Sequence, residues 1–452
     1  MEKLTNKAIL GSIIFSTSLN NIHFEKNALL VIDRHGKISK LVRESDFNYN
    51  DEVRNYRSSN SLFETEEHQY LLPGFTDLHI HAPQWPQLGK ALDIPLEKWL
   101  QKYTFPLESK FKDENFAHFV YEDLVRSLLK AGTTTAVYFS TIHQRATQIL
   151  VEKCIKFGQR AVVGKVVMDN PLQCPDYYKD ASTRDALDDT KNFIKFVEKV
   201  QKNHRGKIYA AITPRFIPSC TDEALHELGK LALQSDVYVQ THCSESDWEH
   251  NYVLHRCGKT DTEALLEFGL LKKSTILAHG NFLSDRDMDI IKTQQAGVAH
   301  CPLSNFFFSD AIFPLRQALR KGLNIGLGTD IAGGPSCSIL DAAKNTIFAS
   351  RALENGVNPF INREERGLQN SRVNFCEAFY LATKGGAQVL NIPTGSFEQN
   401  YYFDAILIDT QANNSRISFD NSIDSDEDII QKLIMLSTRS NIVKTWVGGI
   451  LV

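Results

Sequence analysis

Four short stretches of the chain carry side chains that can ligate a metal or move a proton. The first, PGFTDLHIHAPQWP, places His79 and His81 two residues apart. In VQTHCSE, His242 precedes Glu245 by three residues; ILAHG holds His279, and GLGTD ends in Asp330. Neutral imidazoles and a carboxylate are the donor set of zinc, iron or manganese sites. Residues i and i+2 of a strand share a face, so His79 and His81 point the same way. A lone histidine would read as a satisfied core residue. Metal-capable residues at the ends of four separate apolar runs are hard to explain as packing, because buried His and Asp cost free energy unless something pairs with them.

These residues need elements that bring them together. Eight apolar runs alternate with helical stretches: Gly74–His81, Thr133–Ser140, Ala161–Asp169, Ile208–Phe216, Val237–Cys243, Thr275–Gly280, Gly297–Pro302 and Leu323–Asp330. Between them, Asn115–Lys130 carries Phe116, Phe119, Val120, Leu124, Leu128 and Leu129 at helical spacing, and Thr221–Gln234 reads as another helix. Eight such repeats predict an α/β fold, a (β/α)8 TIM barrel. Barrel active sites form at the C-terminal ends of the strands, where the candidate residues lie. No Gly-rich phosphate fingerprint follows any run, which disfavours an open doubly wound sheet.

Both chain ends read as β. The runs are Ala8–Ser16, Ala28–Ile32 and Ile38–Leu41, then Phe403–Ile408 and Ile442–Val452, with a helix near Asp426–Leu436. Their pairing would give a small β-sandwich domain around the barrel. The expected division is 1–68 and 393–452 for that domain, and 69–392 for the catalytic barrel. Val53–Gln69 reads as a polar linker. Lys3 and Lys7 before Ala8–Phe15 imitate a signal peptide, but the run is short and lacks a small-x-small cleavage site, so a first strand is expected.

Composition narrows the class. A net charge of −4 over 452 residues, without a long Lys/Arg run, argues against a nucleic-acid partner. No apolar run reaches membrane-spanning length. The eight cysteines are dispersed and lack a C-x-x-C pair, which suits reduced thiols in the cytoplasm. The same absence sets aside the small deaminase fold built on P-C-x-x-C.

The pattern of H-x-H on the first strand, His on the fifth and sixth and Asp on the eighth resembles the amidohydrolase superfamily. Within it, PGFTDLHIHAPQ, DIPLEKWLQKYTFPLE, ITPRFIPSC, THCSE and GTDIAGG are similar to the guanine deaminase family, over about residues 70–390. The resemblance implies hydrolysis of guanine to xanthine and ammonia by a homodimer with one Zn2+ per subunit, Fe or Mn being the other options. It implies His79, His81, His242 and Asp330 as metal ligands and Glu245, His279 and Asp330 as catalytic residues. Gln84, Trp85, Arg215 and Phe216, with His242, Glu245 and Asp330, fall among the implied substrate contacts. Some relatives hold two metals bridged by a carboxylated Lys. Here the fourth run ends in Pro214-Arg215-Phe216, and Lys165 lies mid-strand in the third, so one metal is expected.

The chemistry fits these residue types. Guanine C2 is a poor electrophile and needs both a strong nucleophile and a proton for the ring. Zinc lowers the pKa of water to roughly 7. Asp330 can accept the water proton, His279 can direct the attack, and Glu245 can protonate N3 and then the departing amine. The Gln84 amide carries a donor and an acceptor for the lactam edge, Arg215 only donors, and Phe216 or Trp85 can cover the purine face. In AHCPLSN, His300, Ser304 and Asn305 are expected to support the pocket. Cys243 alternates away from His242 into packing, and Leu78 and Ile80 are expected to face outward. Deaminases of other bases and chlorohydrolases on the same fold are the rival enzymes; a scaffold barrel would have lost its ligands.

Overall fold

The computed structural model describes residues 3–204, 206–420 and 422–452. Along the chain run β1 (Lys7–Ser18), β2 (Asn21–Ile32), β3 (Ile38–Val42), β4 (Leu62–Glu64) and β5 (Gln69–Pro73). Eight barrel strands follow: β6 (Phe75–His81), β7 (Thr133–Phe139), β8 (Arg160–Val167), β9 (Ile208–Pro214), β10 (Tyr238–Cys243), β11 (Thr275–His279), β12 (Gly297–His300) and β13 (Asn324–Leu327). The chain ends with β14 (Ala405–Asp409), β15 (Ile442–Val447) and β16 (Ile450–Leu451).

Strands β6 to β13 pair side by side in sequence order, all parallel. Two backbone hydrogen bonds bring the ends of this sheet together: Asp330 N to His79 O at 2.9 Å and His81 N to Ile331 O at 2.8 Å. The strands read as unbroken apolar runs because they are covered on both faces; β6, β7 and β8 are buried at every position. Helices lie outside. Helix Glu114–Lys130 starts where the Asp113 side chain accepts from Asn115 N, and helix Asp222–Gln234 where Thr221 accepts from Ala224 N. The first of these buries Val120, Leu124 and Leu128, each worth about 1.5–3 kcal/mol of apolar burial, while Phe119 stands exposed.

Leu78 departs from simple alternation. The β6–β7 register shifts between Asp77 and Ile80, so Ile80 packs outside while Leu78 joins Val137, Val162, Ala211 and Ile276 inside the barrel. The expectation that both face outward is therefore corrected for Leu78. The cause is Asp77. Its buried carboxylate accepts from His79 N at 3.2 Å, Thr329 N at 3.0 Å and Thr329 Oγ1 at 2.5 Å, which pulls the strand out of register. Neighbouring Gly328 leaves room for that approach, since a Cβ there would sit 2.9 Å from the His79 Cβ.

The chain ends build a second sheet in the order β16-β15-β14-β5-β1-β2-β3, with β4 beside β1. It curls on itself: Leu30, Ile32 and Ile38 from one end share a core with Phe403, Ala405 and Trp446 from the other. Backbone bonds from Leu4 N to Gly449 O and from Ile38 N to Tyr401 O, each 2.8 Å, tie the two ends. The stretch read as a linker is folded. Helix Tyr49–Ser58 packs Val53, Tyr49 and Tyr56 on Leu29 and Val42, and β4 and β5 follow it. Its i, i+4, i+7 apolar spacing was hidden by the surrounding charges. At the barrel foot Arg160 grips Asp404 with two hydrogen bonds of 3.0 and 3.1 Å, and both are fully buried. No helix among the described residues is long and apolar enough to cross a membrane.

Candidate metal centre and cavity

His79, His81, His242, His279, Glu245 and Asp330 converge at the C-terminal ends of β6, β10, β11 and β13, none more than 6% exposed. The His81 and His242 Nε2 atoms lie 2.9 Å apart. Asp330 Oδ1 stands 3.2 Å from His79 Nε2 and 3.6 Å from His81 Nε2. His279 Nε2 is 3.6 Å from Glu245 and 3.9 Å from Asp330 Oδ2. Potential ligand atoms of His79, His81 and Asp330 fall within 4.8 Å of one another, as do those of His79, His242 and His279.

Two of these residues reach the centre through left-handed backbone. His279 (φ 73°) follows Leu277, which packs outside the barrel, so strict alternation would turn it outward; its positive φ redirects it. Asp330 (φ 49°) lies past the end of β13 in the same conformation. Such strain in non-glycine residues clusters at functional sites.

The hydrogen bonds test whether a cation fits. Neither ring nitrogen of His79 has a partner, nor does His279 Nε2, although all are buried. His242 Nδ1–H donates to Arg215 O at 2.5 Å, which leaves its Nε2 as a bare lone pair facing His81. His279 Nδ1–H donates to Asn305 Oδ1 at 2.9 Å and presents Nε2 likewise. A buried polar atom left unpaired costs about 1–3 kcal/mol. Lone pairs and a carboxylate oxygen aimed at one point are the arrangement a cation resolves, and backbone or amide partners on the far nitrogens are the usual way ligand histidines are oriented. Burial, reinforced by neighbouring imidazoles and Arg215, holds His79, His81 and His242 well below the ordinary histidine range, so they stand neutral, in the ligand form.

Burial pushes the Glu245 carboxyl well above its usual range, and the nearby charge of Asp330 adds to that. Asp330 is raised by the same burial and opposed by His279. Burial and the Asp330 charge both favour the protonated form of Glu245. A relay of amides holds it: Asn305 Nδ2 donates to Asn281 Oδ1, and Asn281 Nδ2 to Glu245 O, both at 2.8 Å. Asn281 carries no signal in the sequence.

A cavity opens over this cluster. Arg215, Phe216 and Gln84 line it beside His81, His242, Glu245 and Asp330. Leu96, Trp99, Leu100 and Phe308 complete its apolar wall, drawn from the insert after β6 and the turn after β12. Trp85 does not reach the cavity. Its Nε1–H donates to Asp123 at 2.7 Å on helix Glu114–Lys130, outside the barrel, and Trp99 occupies the wall instead. The Gln84 amide is also less free than a lactam reader requires: Oε1 accepts from Ala332 N at 3.1 Å and Nε2 donates to Glu108 at 2.9 Å. Lys165 is ion-paired with Asp180, and the preceding Gly164 faces Thr213 and Gln240 inside, so Lys165 lies on the outer face, away from the metal cluster. Cys243 is buried in the outer core. His300 packs on Phe313, and burial lowers its imidazole to about 3.

Comparison with known proteins agrees with this layout. An amidohydrolase family model matches residues 70–452. Guanine deaminase of Dictyostelium discoideum is 37% identical, the match covering 98% of this chain and 97% of that protein. Guanine deaminase of Mus musculus is 39% identical over 85% of this chain and 83% of the other. A solved guanine deaminase from C. acetobutylicum with bound guanine in the active site superposes with a TM-score of 0.87 at 32% identity, covering 99% of each chain. With the ligand cluster at the mouth of its barrel, this chain belongs to the amidohydrolase family and, within it, to the guanine deaminases.

Proposed function

We propose that this chain hydrolyses guanine to xanthine and ammonia, using one zinc ion held by His79, His81, His242 and Asp330. The observation that carries this reading is the set of buried, unpartnered imidazole nitrogens at a cavity that Arg215 also lines. The 37% and 39% identities to guanine deaminases support the substrate. The segment 69–392 supplies the catalytic residues in this reading, and 1–68 with 393–452 closes the barrel foot. A cytoplasmic homodimer active in purine breakdown goes with it. All eight cysteines are free thiols, in keeping with a reducing compartment, and exposed Phe348, Val357 and Phe360 offer apolar surface for a second copy.

Bound in this cluster, the ion supplies Lewis acidity that brings a water proton into the neutral range. Asp330, within reach of His79 and His81, accepts that proton. His279 accepts a hydrogen bond through its bare Nε2 and so aims the attacking oxygen at C2. Glu245, kept protonated by burial, gives its proton to N3 as C2 becomes tetrahedral. It then carries the proton from Asp330 to the amine as the C2–N bond breaks, and takes up the C2 hydroxyl proton as the C2 oxo group forms, which restores the acid. Arg215 donates to the oxo edge, and Phe216, Trp99 and Leu100 offer apolar faces to the purine. Glu108 neutralises Arg215, so no net charge is buried with a neutral base.

Purified protein incubated with guanine, adenine, cytosine and an aminotriazine distinguishes this reading from its rivals. Xanthine formed from guanine, at a kcat/KM at least about 10²-fold above the others, is expected. Faster turnover of another base would replace guanine as the substrate.

A further inference from the structure

Glu108 ends the short helix Phe105–Glu108 and has no exposure to solvent. Its carboxylate collects four donors. Oε2 accepts from Arg215 Nη1 and from the Tyr178 hydroxyl, both at 2.7 Å. Oε1 accepts from Gln84 Nε2 at 2.9 Å and Arg215 Nη2 at 3.2 Å. Those four bonds use the acceptor capacity of a carboxylate, so nothing is left for a ligand. Arg215 follows β9 and Gln84 follows β6. Glu108 is where these two cavity residues are fixed to each other.

Gln84 Oε1 already accepts from Ala332 N, and one Nε2 hydrogen goes to Glu108, which leaves one N–H and, on the Ala332 side of the amide, the second lone pair of Oε1. On Arg215 the second Nη1 hydrogen faces Met168 Sδ at 3.7 Å, and Nη2 keeps one hydrogen free. An ionised carboxylate only accepts. Were the Gln84 amide to turn over, its oxygen would face the Glu108 oxygens and its NH2 would face the Ala332 N–H. Both contacts repel, so the orientation is locked with N–H groups to spare on both residues.

We propose that Glu108 is a positioning residue that sets selectivity: it holds Gln84 and Arg215 as donors, so the site takes a purine with an oxo group on its six-membered ring and rejects one with an amine there. This rests on the reading that the chain deaminates guanine.

The test compares guanine with 2,6-diaminopurine, which keeps the 2-amine and replaces the 6-oxo group by an amine. Unmodified enzyme, Glu108→Gln and Glu108→Asp are each measured for kcat, KM, bound metal and Tm. Glu108→Gln puts an NH2 where the carboxylate was and lets the Gln84 amide turn over. Its guanine KM is expected to rise about tenfold or more with a smaller change in kcat, and its guanine-to-diaminopurine ratio of kcat/KM to fall about tenfold. Glu108→Asp stays acceptor-only but is one methylene short of spanning both partners. It moves the ratio the same way by less, and it is the variant to read should Glu108→Gln not fold. A role in packing alone lowers Tm and leaves the ratio unmoved; an unchanged ratio in the folded variants, metal retained, overturns the inference. Failure of the unmodified enzyme to consume guanine would instead overturn the functional reading.

Discussion

The two ends of the barrel bury polar groups in opposite ways. At the foot, Arg160 and Asp404 meet in a two-pronged pair, Gly448 N adds a third donor to Asp404, and the guanidinium lies 4.6 Å from the Tyr402 ring centre. At the mouth, His79 and His279 keep ring nitrogens without a partner, and Glu245 and Asp330 are both pushed up by burial. The foot sets two opposite charges against each other and leaves a single guanidinium nitrogen, Arg160 Nη1, without a hydrogen-bond partner. The mouth carries a desolvation cost that the groups present do not offset among themselves, and that a cation there would relieve. Neither burial nor one unpartnered atom such as Arg160 Nη1 therefore marks a functional site; several unpartnered, metal-capable donors converging within 4.8 Å do.

That contrast can be broken by mutation. The largest effect on turnover is expected for Asp330→Ala, which removes a ligand and a proton acceptor together: a loss beyond about 10⁴-fold and a fall in bound metal. Metal analysis beside steady-state rates checks it. Glu245→Gln is expected to lose about 10²–10⁴-fold with metal content unchanged. The sign of its pH dependence follows from the raised carboxyl: the protonated acid is the active form, so turnover falls as pH rises through its folded value, and the variant lacks that alkaline limb. A pH–rate profile of both proteins reads this out. Arg215→Ala is expected to raise the guanine KM by about 10–100-fold, the worth of one charge-assisted hydrogen bond. At the foot the outcome inverts. Arg160→Met, by stranding Asp404, is expected to cost about 3–5 kcal/mol in chemical denaturation while kcat/KM of the folded enzyme stays put. A change in KM there would erase the distinction between the two ends.

Much of the mouth is legible in the sequence because barrel strands end where their chemistry begins. His79, His81, His242, His279 and Asp330 close apolar runs, and a period-two pattern aims the first two together. The parts that were not legible depend on contacts far apart in the chain. Asp77 bonds to Thr329, 252 residues away, and the resulting register shift turns Leu78 inward. Trp85 finds Asp123 and leaves the wall to Trp99, a choice between two indoles that no spacing encodes. The amide orientation of Gln84 is set by Glu108 and Ala332 rather than by its neighbours in sequence. Left-handed backbone at His279 overrides alternation locally. Helix Tyr49–Ser58 is masked because charged and polar residues surround its three packing positions, Tyr49, Val53 and Tyr56.

The proposed function makes guanine hydrolysis depend on a single metal held by His79, His81, His242 and Asp330. It is tested most directly by stripping the protein with a chelator and titrating zinc back while bound metal and xanthine formation are followed together. Activity near zero in the stripped protein, rising linearly and saturating at one ion per chain, is the predicted result. Full turnover without metal, or saturation only at two ions per chain, would contradict it.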